Sequence, residues 1–170
     1  MKLKPLLKKR IIMENTTAAF TETLNDLVLI NNDRIAGYEK ALEELKSRDE
    51  GASQDLDLTV LFQRMIAESR ENRMALGHEV QVHGGEMAEG TLTSGKLYRV
   101  WMDVRAAFSG KDRHAILASC EGGEDAALRA YNSALEEEEL PTFLRDLVSS
   151  QKDTIKRSHD EIKALRDQSA

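Results

Sequence analysis

Apolar side chains recur every three or four positions along four segments of the chain, a spacing that keeps them on one face of an α-helix. The first segment follows the helix-capping residue types Asn15 and Thr16 and ends near Arg48. The second stops at the turn His83-Gly84-Gly85. The apolar positions of these two segments are Phe20, Leu24, Leu27, Val28, Ile35, Tyr38, Leu42 and Leu45, then Leu58, Leu61, Phe62, Met65, Leu76 and Val80.

Two further long helices follow in the second half of the chain. Asp112 is placed to cap the third helix, which runs to the acidic cluster Glu136–Glu139. Pro141 lies in the first turn of the fourth helix, where its missing N–H costs little. Between helices two and three, Lys96–Ser109 has the spacing of a shorter helix, about 21 Å long at 1.5 Å per residue.

The lengths of the connections predict the topology. Short turns join helices one and two and helices three and four, so each of these pairs must lie antiparallel. The shorter helix, with its loops, spans most of the bundle and makes helices two and three parallel. The sequence therefore predicts an all-α fold: a ferritin-like antiparallel four-helix bundle with a short crossover helix between helices two and three.

The first residues differ from the rest in charge. Lys2, Lys4, Lys8, Lys9 and Arg10 surround only short apolar stretches, without the continuous apolar core or the cleavage site of a signal peptide. We expect residues 1–14 to form a basic, disordered tail and residues 15–170 to form the bundle domain. A short helix that lies on a membrane surface or binds a partner is the alternative.

Composition narrows the possible functions. The net charge is −6 and no basic face is apparent beyond the first residues, which argues against nucleic-acid binding. The single cysteine, Cys120, favours a reducing, cytoplasmic location. No run of about 18 apolar residues occurs, so no transmembrane segment is expected.

Glu124 is the main candidate for a functional residue. At about 100° per residue it falls in the middle of the apolar stripe of helix three. A carboxylate buried there needs a partner, because an unpaired buried charge costs several kcal/mol or more. Its partner is therefore the best indication of what the protein does.

Counting about 1.5 Å per residue from each turn places several metal-ligating residue types near one level of the bundle. Carboxylates and a histidine suit a hard or borderline cation, and iron, manganese and zinc are the candidate ions. The candidate ligands are Glu39, Glu121, Glu124 and His159, with Glu68 as an additional ligand. The alternative is a buried ion pair or hydrogen bond without metal, in which the partners of Glu124 are His159, Lys156, or the hydroxyls of Tyr38 and Tyr131.

Several short motifs resemble an uncharacterised bacterial family of ferritin-like four-helix-bundle proteins. They are Leu24-Asn25-Asp26-Leu27, Gly37-Tyr38-Glu39, Trp101-Met102-Asp103, Cys120-Glu121-Gly122-Gly123-Glu124-Asp125 and His159-Asp160-Glu161-Ile162. The resemblance covers almost all of residues 13–170. It implies the fold, and the activity of that family is undefined.

The chain departs from the di-iron pattern of ferritin-type bundles, which takes a Glu-x-x-His motif from each of two helices. No glutamate stands three positions before any histidine in this sequence. A ferroxidase centre of the usual kind is therefore not expected, and enzymatic catalysis is the least supported class of function, although a reduced metal site is compatible with the residues present.

The sequence leaves two classes of function open. The first is a metal-binding ferritin-like protein of bacterial stress or metal physiology. The second is a non-catalytic bundle without metal that acts as a homo-oligomer, most simply through the crossover region.

Overall fold

The computed structural model describes residues 4–47, 55–92 and 112–169 of the 170-residue chain. These residues form four α-helices and contain no strand, which confirms the predicted all-α four-helix bundle. The helices are α1 (Pro5–Lys46), α2 (Leu56–Val82), α3 (Arg113–Glu136) and α4 (Thr142–Gln168).

The core divides into two groups of buried side chains, one toward each end of the bundle. We call the group that contains Phe20 of α1 the proximal core, and the group that contains Leu45 of α1 the distal core. The proximal core includes Phe20, Leu24, Leu76, Val80, Ala130, Tyr131, Leu144 and Val148. The distal core includes Tyr38, Leu45, Leu58, Phe62, Ile116, Leu117, Cys120 and Ile162.

Membership of the two cores gives the direction of each helix. From its N-terminus to its C-terminus, α1 passes from the proximal to the distal core, as α4 does. In the same sense α2 and α3 pass from the distal to the proximal core. Helices α2 and α3 are therefore parallel, as predicted from a crossover. The crossover helix itself, Lys96–Ser109 with Trp101, lies outside the described residues.

Local residue chemistry sets the ends of α3 and α2. Asp112 caps α3 as predicted, because its Oδ1 atom accepts a hydrogen bond of 2.8 Å from the backbone N–H of Ala115. At the end of α2, Gly84 adopts a left-handed φ of 80°, and the N–H of Gly85 donates to the carbonyl of Val80. The predicted turn at residues 83–85 is thus present.

The start of α1 was predicted wrongly. The helix begins at Pro5 and not after Asn15 and Thr16, so the expected disordered tail is helical over its described residues. Proline fits the first helical position, and extending an existing helix adds one hydrogen bond per residue without a new nucleation cost. An ion pair of 3.0 Å between Arg10 and Glu14 supports this part of α1.

The first turns of α1 lie outside the bundle core. Residues 4–15 are all exposed, and the first buried residue of the helix is Phe20. We call residues 4–15 the arm. Because the arm buries no stripe, hydrophobic periodicity gave no signal that the helix extends so far.

Charged residues occur at intervals along all four helices. None of the helices in the described part of the chain has an apolar stretch long enough to cross a membrane.

Candidate functional site

Glu124 is buried between the two cores and is paired with an arginine. Its side chain is 1% exposed, and that of Arg34 on α1 is also 1% exposed. The Nε atom of Arg34 donates to Oε1 of Glu124 and the Nη2 atom donates to Oε2, each at 3.0 Å. This two-point pairing matches the planar guanidinium to the planar carboxylate and orients both side chains.

A tyrosine donates a further hydrogen bond to Glu124. The hydroxyl of Tyr38, one turn after Arg34 on α1, donates a short hydrogen bond to Oε1 of Glu124. Burial first, and then the negative charge of Glu124, raise the pKa of Tyr38 well above its usual value of 10.0. Tyr38 therefore keeps its proton at neutral pH and acts as a donor to the carboxylate.

The same arginine also faces a second carboxylate. The Nη2 atom of Arg34 lies 3.4 Å from Oε1 of Glu68 on α2, and Ser158 on α4 donates to the same oxygen over 3.4 Å. Burial is the main cause that raises the pKa of Glu68, the charge of Glu124 adds to it, and Arg34 opposes it. One guanidinium thus serves two carboxylates on two helices.

A chain of uncharged groups extends from Arg34, Tyr38, Glu68 and Glu124 toward the proximal core, and we call these two sets of residues together the polar layer. Asn31 Nδ2 donates to the hydroxyl of Tyr131 at 2.8 Å, and that hydroxyl donates to Oε1 of Gln151 at 2.8 Å. The Nε2 atom of Gln151 donates to the backbone carbonyl of Asn72 at 3.2 Å. All four helices therefore contribute polar groups between the two cores.

The polar layer contains donors and acceptors that other described residues do not satisfy. Among residues 4–47, 55–92 and 112–169, no hydrogen-bond partner is found for Arg34 Nη1, Asn31 Oδ1 or Asn72 Nδ2.

His159 and Glu121 lie next to a separate group of charges at the surface of α3 and α4. The Nε2 atom of His159 is 3.1 Å from Oδ1 of Asp125 and 3.9 Å from Oε1 of Glu121. The other oxygen of Glu121 accepts a short hydrogen bond from Arg166. One carboxylate oxygen of Glu121 is thus already held by a cation.

The five predicted metal ligands are divided among three places. Glu68 and Glu124 share Arg34, Glu121 lies near His159, and Glu39 is exposed and pairs with Arg70 over 3.3 Å. Across the three described ranges, no group of three or more His, Cys, Asp or Glu side chains is arranged to hold a metal ion. The structure therefore does not bring the five predicted ligands together, and the metal site stays a prediction.

One of the four predicted partners of Glu124 is in contact with it, and the other three are paired elsewhere. The Tyr38 hydroxyl is confirmed. Lys156 instead pairs with Asp160 at 2.6 Å, His159 with Asp125, and Tyr131 with Asn31 and Gln151. Arg34, the principal partner, was missed, although it lies three positions from Asn31 and four from Tyr38 on the same helical face.

Cys120 is a buried free thiol in the distal core, as expected from its position in the stripe. Burial, and to a lesser extent the charge of Glu124, raise the pKa of this thiol far above its usual value. A protonated, enclosed thiol is a poor nucleophile, so Cys120 is a packing residue.

Comparison with known proteins places this bundle in a family. Residues 19–137 match the family described as a domain of unknown function, DUF2383. The chain belongs to this family. No curated protein matches the chain.

The matched span covers most of the polar layer. Arg34, Tyr38, Glu68 and Glu124 all lie within residues 19–137. Helix α4 and the arm lie outside it, so the family match includes three of the four helices.

Proposed function

We propose that this member of the DUF2383 family is a non-catalytic helical bundle that acts by associating with other copies of itself, and that Glu124 is a structural charge. The observation that carries the proposal is the pairing of Arg34 with both oxygens of Glu124 at 3.0 Å. A metal ion would have to displace the guanidinium and leave a buried positive charge without a partner, which is costly.

Self-association is supported by the distribution of exposed apolar side chains. Among residues 4–47, 55–92 and 112–169, ten large apolar residues are exposed, and five of them lie in the arm between Leu6 and Met13; Leu6 is 84% exposed. A concentration of exposed apolar side chains in one segment is typical of an interaction region.

The metal-binding function is the second candidate, and one observation favours it. Two of the predicted ligands, Glu121 and His159, lie 3.9 Å apart, although among the described residues no third side chain is arranged to hold a metal ion with them. In that case the protein would be ferritin-like in chemistry as well as in its expected topology, with iron, manganese or zinc bound near the bundle surface.

Two measurements on the full chain separate these candidates. Elemental analysis of protein purified without chelator or affinity metal, before and after incubation with Fe(II), Mn(II) or Zn(II), is expected to find well below one ion per chain. Light scattering during size exclusion is expected to give a mass that rises with concentration above the 19.1 kDa of one chain.

Two variants sharpen the comparison. Near-stoichiometric metal that is lost in His159→Ala but kept in Glu39→Ala would establish the second candidate. A mass that stays at 19.1 kDa at every concentration would reject the first.

A further inference from the structure

The side of α1 that faces away from the core carries a continuous exposed stripe. Asn15 stands nine positions before the core residue Leu24, which places it about 180° around the helix. Residues within about 60° of Asn15 form what we call the outer stripe. Its members are Lys4, Lys8, Ile11, Ile12, Asn15, Ala18, Ala19, Glu22 and Asp26, and all are exposed except the half-buried Ala19.

The outer stripe ends where another segment covers α1. The segment after α2 already contacts Asn25, which lies about 80° around the helix from Asn15. Beyond Asp26 this segment crosses the helix, with the Asn32 amide donating to the carbonyl of Gly90 and the Leu92 N–H donating to Asp33. From Lys4 to Asp26 the stripe spans 22 residue steps, about 33 Å.

Charge is distributed asymmetrically along this stripe. The chain as a whole has five of its 24 basic residues and one of its 30 acidic residues in the first 15 positions, so that segment carries +4 while the remainder carries −10. On the stripe itself, Lys4 and Lys8 stand at one end, and Glu22 and Asp26 stand at the other.

The two acidic residues repel each other. Burial by neighbouring atoms first, and then the charge of Glu22, raise the pKa of Asp26. Among the described residues, no cation forms an ion pair with Glu22 or Asp26 and no carboxylate pairs with Lys4 or Lys8. The stripe therefore presents uncompensated charge of opposite sign at its two ends.

We propose that the occupant of the outer stripe is the outer stripe of a second copy, packed antiparallel about a twofold axis at Asn15. Lys8 and Glu22 are both seven residues from Asn15, and Lys4 and Asp26 are both eleven residues from it. An antiparallel pair therefore brings Lys8 of each copy to Glu22 of the other, and Lys4 of each copy to Asp26 of the other.

The apolar part of the stripe is complementary under the same operation. Ile11 is four residues from Asn15, as is Ala19, and Ile12 is three residues from it, as is Ala18. Large side chains on one copy thus face small side chains on the other, which permits close helix packing. An isologous interface requires this self-complementarity, in which residue i contacts residue j and j contacts i.

The pairing also explains the arm. All residues of the arm are exposed, so burial of an apolar face contributes little to the stability of this part of α1. In the antiparallel pair, each arm lies along the part of the other copy's α1 that packs on its own core. This inference rests on the proposed function, because it presupposes self-association.

Charge reversal tests the pairing. The dimer dissociation constant of the full chain is measured by light scattering and sedimentation for wild type, Lys8→Glu, Glu22→Lys and the double variant. Each single variant places two like-charge contacts in the dimer and is expected to weaken it about ten-fold, equal to about 1.4 kcal/mol. The double variant is expected to return to within about three-fold of wild type.

Lys9→Glu is the matched control, since it makes the same charge change in the same arm about 100° away from Lys8. It is expected to leave the dissociation constant within about three-fold of wild type. Helical circular dichroism of each variant confirms folding.

A second measurement locates the twofold axis. Asn15→Cys is expected to cross-link two copies with a short bismaleimide, whereas Glu14→Cys, which points about 100° away, is not. Buried Cys120 provides no competing thiol in the native state.

The outcomes are distinguishable. A wild-type dimer that is insensitive to Lys8→Glu, Glu22→Lys and the double variant overturns the stripe pairing and leaves the proposed function standing. A wild-type protein that is monomeric throughout overturns both. Co-sedimentation of the monomer with phosphatidylserine vesicles, lost equally in Lys8→Glu and Lys9→Glu, would assign the arm to a membrane surface and also overturn the pairing.

Discussion

Arg34 on α1 and Glu124 on α3, which stand 90 positions apart in the sequence, meet between the two cores through two hydrogen bonds of 3.0 Å. Both side chains are about 1% exposed, so neither charge can be satisfied by water if the other is removed. This relationship gives the clearest prediction about stability.

We expect Arg34→Met to lower the free energy of unfolding by about 3–5 kcal/mol, because it leaves Glu124 charged, buried and unpaired. Replacing both residues, as in Arg34→Met with Glu124→Met, is expected to recover most of that loss. Urea unfolding followed by circular dichroism measures both. Arg64→Met is the control, because the Arg64–Glu161 pair is more than 45% exposed on both sides and should contribute less than about 1 kcal/mol.

Tyr38→Phe removes one hydrogen bond to the same carboxylate without removing its ion pair. A bond to a buried charged group contributes about 1.5–3 kcal/mol, and we expect a loss in that range by urea unfolding. Tyr131→Phe, which affects only uncharged partners, is expected to cost less. A larger loss for Tyr131→Phe than for Tyr38→Phe would show that Glu124 does not depend on Tyr38.

The raised pKa of Glu68 makes the stability of the folded protein depend on pH. Its pKa in the folded protein is raised above the ordinary value of 4.5, mainly by burial. The folded state therefore binds this proton more tightly than the unfolded chain, and ionising Glu68 costs stability. That cost is fully present above the folded pKa and disappears as the pH falls below 4.5.

Glu68→Gln should accordingly unfold at an equal or higher urea concentration than wild type at pH 7, and this advantage should shrink as the pH approaches 4.5. Urea midpoints measured from pH 7 to pH 4 test it. The exposed Glu137→Gln serves as control and is expected to show no such convergence. If the advantage of Glu68→Gln grew on acidification, the sign of the shift would be wrong.

Cys120 gives a prediction about reactivity. The chain contains one cysteine, and its burial keeps the thiol protonated and inaccessible. We expect a colourimetric disulfide reagent to release well under one equivalent from the native protein within minutes and one equivalent in denaturant. Rapid reaction of the native protein would show that the distal core opens easily around α3.

The sequence predicted the fold and the central carboxylate from a single signal, the helical period. Glu124 stood out because an acidic residue interrupted an apolar stripe. Arg34 lies about 80° around α1 from Leu24 by the helical period, at the edge of the stripe, so the same signal was weaker for it. Its long apolar stem makes arginine easy to assign to a helix edge, where its charged end reaches water.

The position of the candidate ligands along the bundle axis was easier to predict than the direction in which each side chain points around its helix. The rise per residue placed Glu121 and His159 near one level, and the structure brings them to 3.9 Å. Glu39 was at a similar level but about 75° from the centre of its stripe by the helical period, and the structure leaves it exposed beside Arg70. A side chain that far from the centre depends on its neighbours, which the pattern of one helix does not contain.

The layer of polar groups between the two cores also determines how far the helices can slide along one another. Leu, Ile and Val in the two cores are similar enough in volume that a shift of one helical turn, about 5.4 Å, would exchange one apolar contact for another. The same shift of α1 against α3 would move Arg34 away from Glu124 and leave both charges buried without partners. The ion pair therefore specifies one axial register of α1 against α3, whereas hydrophobic packing alone would accept several.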